Sequence, residues 1–455
     1  MIKKDITWGS ATASYQIEGA AYSDGRGLSV WDEFCLKDGA IENGDNGDFA
    51  CDSYNRLDED INIMKEIGIQ AYRFSLSWTR ILPNGTGEIN QAGIDYYNRV
   101  INKLLENGIE PYITLFHWDY PEALFNKGGW LNPQSPDWME EFAGVAAQNF
   151  SDRVKYWITS NEAQCYIGIG HGIGCHAPGL KLSKYNVVKA WHNNLVALGK
   201  ATQAIRNNAR GEVKVGIVSC GEIGIPASDL PQDIEAARKV LFNKKLDGEF
   251  INFGFGELLE PAINGVYPEN LKGYLPDGWE RDMDIIKQPL DFVGLNVYTG
   301  QITKATHDGD YEYINPIVGE AITATDWKVR PESMYWVIKF IWEKYKLPIV
   351  IAENGMANND WMSIDMKVHD PQRIDYMDRY IGQLLRAANE GANVQAYFHW
   401  SLMDNFEWSC GYKRRFGLVY VDYKSFKRTL KDSAYHYREI IKSNGKIVEE
   451  IEVKD

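Results

Sequence analysis

The sequence predicts an α/β fold: a single closed barrel of eight parallel strands, a (β/α)8 or TIM barrel, with elaborated βα loops. Three observations predict it. Eight short apolar runs of β character recur along the 455 residues, helical patterns separate most of them, and no linker or low-complexity block divides the chain. Residues 1–455 are therefore expected to form one barrel domain, since alternating strand and helix in an unbroken chain favours a closed parallel sheet.

The eight runs fall at Ile6–Ala13, Ala71–Trp78, Tyr112–Trp118, Tyr156–Asn161, Val213–Ser219, Phe292–Tyr298, Ile349–Glu353 and Val394–Trp400. Asp58–Ile67 precedes the second run. Its acids come first, where a helix dipole favours them, and Met64 and Ile67 fall at helical spacing. Ile94–Asn107 precedes the third and stops at Gly108. Trp138–Phe150, Val187–Asn208, Met334–Tyr345 and Tyr376–Asn389 fill similar places. An open doubly wound sheet would carry a glycine-rich phosphate turn after its first strand, and Ser14-Tyr-Gln-Ile-Glu-Gly19 cannot serve as one. The alternating glycines of Gly168–Gly174 match neither nucleotide fingerprint and read as a flexible loop near the site. The charged tail from Lys446 is expected to fray.

A formal net charge of −15 disfavours nucleic acid, anionic membranes and strongly anionic polymers as partners. The basic run Lys413-Arg414-Arg415 reads as a solvated loop. Six scattered cysteines, at positions 35, 51, 165, 175, 220 and 410, form neither a disulfide framework nor a Cys-x-x-Cys site. Reduced thiols and an N-terminus without an apolar h-region predict a cytoplasmic protein, and no apolar stretch approaches membrane-spanning length.

Chemistry in such a barrel gathers where strands end and loops begin. Seven of the eight runs end in polar or aromatic groups: Gln16 after the first, Arg73 in the second, His117-Trp118-Asp119, Asn161-Glu162, Asn296-Val-Tyr298, Glu353-Asn354 and His399-Trp400, the last followed by Asp404-Asn-Phe-Glu-Trp408. One such residue is ordinary; together they are hard to explain by packing, which prefers apolar groups. Gln, Asn, Glu and His offer paired hydrogen bonds to sugar hydroxyls, and tryptophan offers a platform to the C–H face of the ring. Glu162 and Glu353 each close a buried β run, where a carboxylate is costly unless its charge is used. A facing carboxylate pair is the minimum equipment for splitting a glycosidic bond. His171, Cys175 and His176 lack a fourth ligand at standard spacing, so neither a metal nor a cofactor is expected.

Trp8-Gly-Ser-Ala-Thr-Ala-Ser-Tyr-Gln-Ile-Glu-Gly19, Tyr72-Arg-Phe-Ser-Leu-Ser-Trp-Thr-Arg-Ile81, Thr114-Leu-Phe-His-Trp-Asp-Tyr-Pro121, Trp400-Ser-Leu-Met-Asp-Asn-Phe-Glu-Trp408 and Arg415-Phe-Gly-Leu-Val-Tyr-Val-Asp422 resemble, in order, the motifs of glycoside hydrolase family 1, the β-glucosidase family of (β/α)8 barrels. The resemblance covers nearly the whole chain. It implies that Glu162 is the acid/base and Glu353 the nucleophile, and that Asn161 holds the sugar 2-hydroxyl. Gln16, His117, Glu407 and Trp408 would hold the other hydroxyls, and Trp400 would lie beneath the ring. Arg73 and Tyr298 would keep the nucleophile ionised, Asn296 would support them, and Trp327 would face the aglycone. Ala163 and Gln164 depart from the family's proline and aromatic pair, and His171 and Cys175 also depart, all on the aglycone side.

The expected reaction is retaining hydrolysis of a small β-glycoside through a covalent intermediate, with the carboxyls about 5–5.5 Å apart. Glu353 should have a low pKa and Glu162 a raised one. Two alternatives stand beside it: a 6-phospho-β-glycosidase, against which Glu407 argues, and a catalytically inactive sugar-binding relative, against which the intact carboxylate pair argues. Preference among glucose, galactose and fucose, the aglycone, and assembly into homo-oligomers are not read from the sequence.

Overall fold

A computed structural model describes residues 5–245, 248–315 and 318–449. Eight strands close a barrel: β1 (Thr7–Ala11), β2 (Ala71–Ser75), β3 (Glu110–Phe116), β4 (Tyr156–Asn161), β5 (Lys214–Ser219), β6 (Phe292–Asn296), β7 (Ile349–Asn354) and β8 (Val394–Trp400). Each pairs in parallel with its neighbour in sequence, and β8 closes on β1 with Ala11 opposite Trp400. A helix follows every strand: α1 (Leu57–Ile67), α2 (Gln91–Glu106), α3 (Ser135–Phe150), α4 (Lys184–Asn207), α5 (Pro231–Phe242), α6 (Glu332–Tyr345), α7 (Pro371–Asn389) and α8 (Asp432–Ser443).

The barrel and six of these helices match the sequence expectation, with ends moved by a few residues. The second predicted run is cut short at Ser75, because Trp78–Ile81 turns into a short helix. The helices α5 and α8 were not anticipated. The charged tail is helical over Lys446–Glu449, and its remainder lies outside the described residues.

Side-chain alternation sorts the strand residues into two apolar clusters. Ala11, Ala71, Tyr112, Ile158, Val218, Phe292, Val350 and Phe398, one from each strand, pack in an inner cluster. Their neighbours, such as Trp8, Tyr72, Trp157, Ile217, Val293, Ile351 and Tyr397, pack outward with helix residues. Strict alternation from Val350 and Ala352, both inner, would turn Glu353 away from the barrel axis. The pairing of β7 with β6 shifts register between Ile351 and Glu353, and its pairing with β8 shifts between Ile351 and Asn354. Strand β4 shifts similarly against β5 between Ile158 and Asn161. Such irregularities re-aim side chains at barrel rims, and here they sit just before Glu353 and Asn161.

The glycine-rich stretch after β4 is not the flexible loop expected. Gln164–Ile173 forms a π-type helical segment, mostly buried. Its glycines serve close packing: a Cβ at Gly170 would lie 2.4 Å from the Ala177 carbonyl oxygen. The basic run is also not uniformly solvated. Lys413 pairs with Glu42 at the surface, but Arg415 pairs with buried Asp404 at 2.7 Å and Arg414 reaches the central cavity.

Candidate active site

At the C-terminal end of the barrel lies a cavity of about 550 Å³. Among its lining are Glu162, Glu353, His117, Asn161, Asn296, Tyr298, Trp327, Trp400, Glu407 and Trp408. Of the residues predicted for the site, Gln16 and Arg73 do not line it. Arg73 lies behind Glu353. Gln16 is fully buried, its amide nitrogen given to Asn405 Oδ1 at 3.1 Å and the Phe406 carbonyl at 2.8 Å.

Both carboxylates belong to one hydrogen-bonded chain. Arg73 Nη1 donates to Glu353 Oε1 at 2.8 Å, and the Tyr298 hydroxyl donates to Glu353 Oε2 at 2.6 Å. The other guanidinium nitrogen, Nη2, donates to Asn161 Oδ1 at 2.6 Å. Asn296 Nδ2 reaches Asn161 Oδ1 at 3.1 Å and Glu162 Oε1 at 2.8 Å. The Cys165 thiol donates to Glu162 Oε2 at 3.3 Å. Glu353 thus faces a cation and a phenol, whereas Glu162 faces an amide and thiols.

That asymmetry governs where a proton sits. Burial and the charge of Glu353 push Glu162 up to about 7. Burial also lifts Glu353 above the ordinary carboxylate range, with Arg73 and Tyr298 pulling the other way. The expectation of a low Glu353 pKa is therefore corrected: desolvation outweighs the pairing. The order within the pair survives, because the direct cationic contact belongs to Glu353. Burial, then the charges of Glu353 and Glu162, push Glu407 up to about 8. Burial holds His117 well below the usual imidazole range, so its ring is neutral. His117 Nε2 lies 3.2 Å from Asn161 Nδ2 and accepts from that amide.

Aromatic rings shape the walls. Trp400 stacks on His117 with centroids 5.8 Å apart, and Trp408 packs on Trp118 at 4.5 Å and Trp31 at 4.6 Å. Half-exposed Trp327 leans on Tyr298 at 5.1 Å. Glu162, Trp118 and Trp408 all have positive φ (49°, 78° and 51°), a costly conformation for non-glycine residues that clusters at functional sites. Gln16 Oε1, His117 Nδ1, Asn296 Oδ1 and Glu407 Oε2 are buried without a protein partner among the described residues. Buried polar atoms are normally satisfied, and a hydroxyl-bearing ligand in the cavity would satisfy those of His117, Asn296 and Glu407, which line it.

The sequence reading missed Cys165 and Cys220, which also line the cavity. Cys165 stands three residues after Glu162, and Cys220 follows β5, the one strand whose end offered no recognised polar group. The set His171, Cys175 and His176 is not brought together as ligands; His171 Nδ1 sits 2.7 Å from the Tyr166 carbonyl oxygen. Glu162, Cys165 and Cys220 are the one cluster with metal-ligand spacing among the described residues.

Residues 1–446 match the family model for glycosyl hydrolase family 1. Beta-glucosidase A of Thermotoga maritima is 45% identical over 443 residues, covering 96% of this chain and 97% of its own. Beta-glucosidase A of Acetivibrio thermocellus is 43% identical, covering 97% and 98%. Among solved structures, the Thermotoga maritima β-glucosidase in complex with glucoimidazole superposes with a TM-score of 0.89 at 44% identity, over 98% of this chain and 99% of that one. The same enzyme in complex with galacto-hydroximolactam gives 0.88, again at 44% identity, over 97% of this chain and 98% of that one.

Proposed function

The chain belongs to glycosyl hydrolase family 1, and from that premise we propose that Glu353 is the nucleophile and Glu162 the acid/base of a retaining β-glucosidase. The observation that carries this reading is the pair itself: two buried glutamates, one in β7 and one next after β4, line one cavity, one held by a cation and the other lifted by burial and by its partner's charge.

In the first half-reaction the Glu353 carboxylate attacks the anomeric carbon and forms a glycosyl ester, while the bond to the leaving oxygen breaks and that oxygen takes the Glu162 proton. Esterification removes the charge of Glu353, one of the two causes that lift Glu162. The Glu162 pKa then falls and its carboxylate can accept a proton from water. Water attacks the same carbon, the ester bond breaks, and both side chains return to their starting states. Two inversions give net retention. Asn161, placed by Arg73 and Asn296, grips the 2-hydroxyl, where a hydrogen bond strengthens in the transition state. His117, Glu407 and Trp408 bind the remaining hydroxyls, Trp400 carries the ring, Trp327 faces the aglycone, and Gln16, behind the wall, holds the loop of Glu407 through Asn405 and the Phe406 carbonyl.

The substrate is a small β-glucoside, as the names of the relatives support, and residues 1–455 act as one catalytic unit. A 6-phosphate is disfavoured, because burying a phosphate dianion in the cavity that holds the Glu353 carboxylate is costly and Lys413 is engaged by Glu42 outside it. No helix among the described residues is long and apolar enough to cross a membrane. A cytoplasmic setting is our reading of six cysteines that stand as free thiols. Proton NMR of the first product from an aryl β-glucoside tests the assignment: the β-anomer must appear before mutarotation, and an α-product ends the scheme.

A further inference from the structure

Cys165, in the helical segment that follows β4, and Cys220, next after β5, both lie beside Glu162. Their sulfurs are 3.8 Å apart, and the Cys165 sulfur is 3.3 Å from Glu162 Oε2. All three ligand atoms lie within 4.8 Å of one another, and all three residues line the cavity, so a solute can reach them. The residues just before the two cysteines tie them together: Gln164 Nε2 donates to Ser219 Oγ at 2.8 Å and to the Gly254 carbonyl at 3.0 Å. The two sulfurs are thus carried on a braced pair of segments.

A tetrahedral zinc ion with Zn–S near 2.3 Å and Zn–O near 2.0 Å sets its ligand atoms about 3.8 Å (S···S) and about 3.5 Å (S···O) apart. Two of the three spacings, 3.8 Å between the sulfurs and 3.3 Å from Cys165 to Glu162, are close to those values, and the third lies within 4.8 Å. We infer that Cys165, Cys220 and Glu162 form a site for a thiophilic d10 divalent cation, zinc or cadmium, and that filling it halts hydrolysis. The ion displaces one proton from each thiol and bonds to two thiolates and the Glu162 carboxylate. The resulting cluster has a net charge of −1, and three protons pass to solvent for each ion bound by the resting enzyme, one from each thiol and one from Glu162. Soft sulfur ligands select such ions over magnesium or calcium. Halting turnover rests on the acid/base reading of Glu162, since a carboxylate oxygen bonded to metal cannot protonate a leaving group; binding itself does not rest on it.

The test is a titration of the full-length, metal-stripped protein with cadmium under a non-thiol reductant. Ultraviolet thiolate-to-cadmium absorption and the hydrolysis rate are read together. One ion per chain, growth of the absorption in step with loss of activity, and recovery with EDTA are expected. Cys165→Ser and Cys220→Ser, each compared with its own metal-free rate, should weaken binding by more than about a hundredfold, beyond the range for outer-shell partners. Glu162→Gln should keep the absorption at weaker affinity, a readout independent of turnover. Absence of thiolate absorption, or a Cys165→Ser/Cys220→Ser protein inhibited as strongly as its parent, overturns the site. Absorption with undiminished hydrolysis removes Glu162 from the ligand set, whereas failure of the acid/base reading shows instead in the anomer first released. Should the serine variants not fold, X-ray absorption of the zinc-loaded parent decides: two sulfur neighbours near about 2.3 Å support the site, and an all-oxygen or nitrogen shell overturns it.

Discussion

Asn296 donates its side-chain amide to Glu162 at 2.8 Å and in doing so pulls against the burial that lifts this carboxyl. The proton must be on Glu162 for the leaving group to depart. The alkaline limb of kcat/KM should therefore follow its loss, with a midpoint near the value of about 7. Asn296→Ala removes a bond that favours the charged form. A hydrogen bond to a charged group contributes about 1.5–3 kcal/mol, so the limb should move up by about one pH unit or more. The maximal rate should fall as well, because the same amide holds Asn161. A limb that stays put or moves to lower pH contradicts the assignment of Glu162.

Glu353 receives both Arg73 and the Tyr298 hydroxyl and is the better ionised of the pair. Glu353→Ala should lower kcat by on the order of 10⁴-fold or more, the scale expected when a covalent nucleophile is removed. Azide fits the space left by the carboxylate and should restore turnover of an activated aryl β-glucoside. The product would be the α-glucosyl azide, since only one inversion then occurs. A β-azide, or ordinary hydrolysis without azide, would remove Glu353 from the first step.

Much of this arrangement is legible in the sequence because it is carried by strand ends. A polar residue that closes an apolar run stands out, and Glu162, Glu353, Asn161, Asn296 and His117 were found that way. The register shifts were not legible. Simple alternation from Val350 would have turned Glu353 outward, and nothing in the sequence Ile349–Asn354 announces the irregularity that turns it in. Cys220 was passed over because a cysteine beyond a β run reads as a small apolar residue until Cys165 is seen 3.8 Å away. The glycines of 168–174 read as flexibility where they serve close packing. The direction of the Glu353 shift depends on the depth of burial, which the whole fold decides.

A buried ionic cluster anchors the loop that carries Glu407 and Trp408. Lys431, fully buried, donates to Asp360 and Asp404 at 2.6 Å each. Arg373 reaches Asp360 and Arg415 reaches Asp404, both at 2.7 Å. Lys431→Met leaves the aspartates short of cations in a dry site, which costs about 3–5 kcal/mol. Urea unfolding should show the midpoint falling by that free energy divided by the slope, with the slope itself unchanged. Since Asp404 also accepts from the Gly417 amide at 3.0 Å, the loop should loosen and KM should rise. A variant as stable as its parent would mean that the remaining arginines suffice to hold both aspartates.

Glu407 separates two pictures of how the cavity meets a hydroxyl-bearing ligand. Burial and the charges of Glu353 and Glu162 raise it to about 8, so near neutrality it is a neutral acid with both a donor and an acceptor. Its Oε2 has no protein partner among the described residues. A neutral amide reproduces that pattern; a methyl group does not. At pH 6, Glu407→Ala should lower kcat/KM by about 10²-fold, the loss of two hydrogen bonds of about 1–1.5 kcal/mol each. Glu407→Gln should lose about tenfold or less. Above the Glu407 pKa the parent gains a further negative charge in the cavity, and the advantage of the parent over the glutamine variant should change with pH there. If glutamine is as damaging as alanine at pH 6, the side chain acts as a carboxylate. The burial that lifts it would then be offset by the bound sugar, and a pH series of inhibitor affinities in parent and glutamine variant would locate that change.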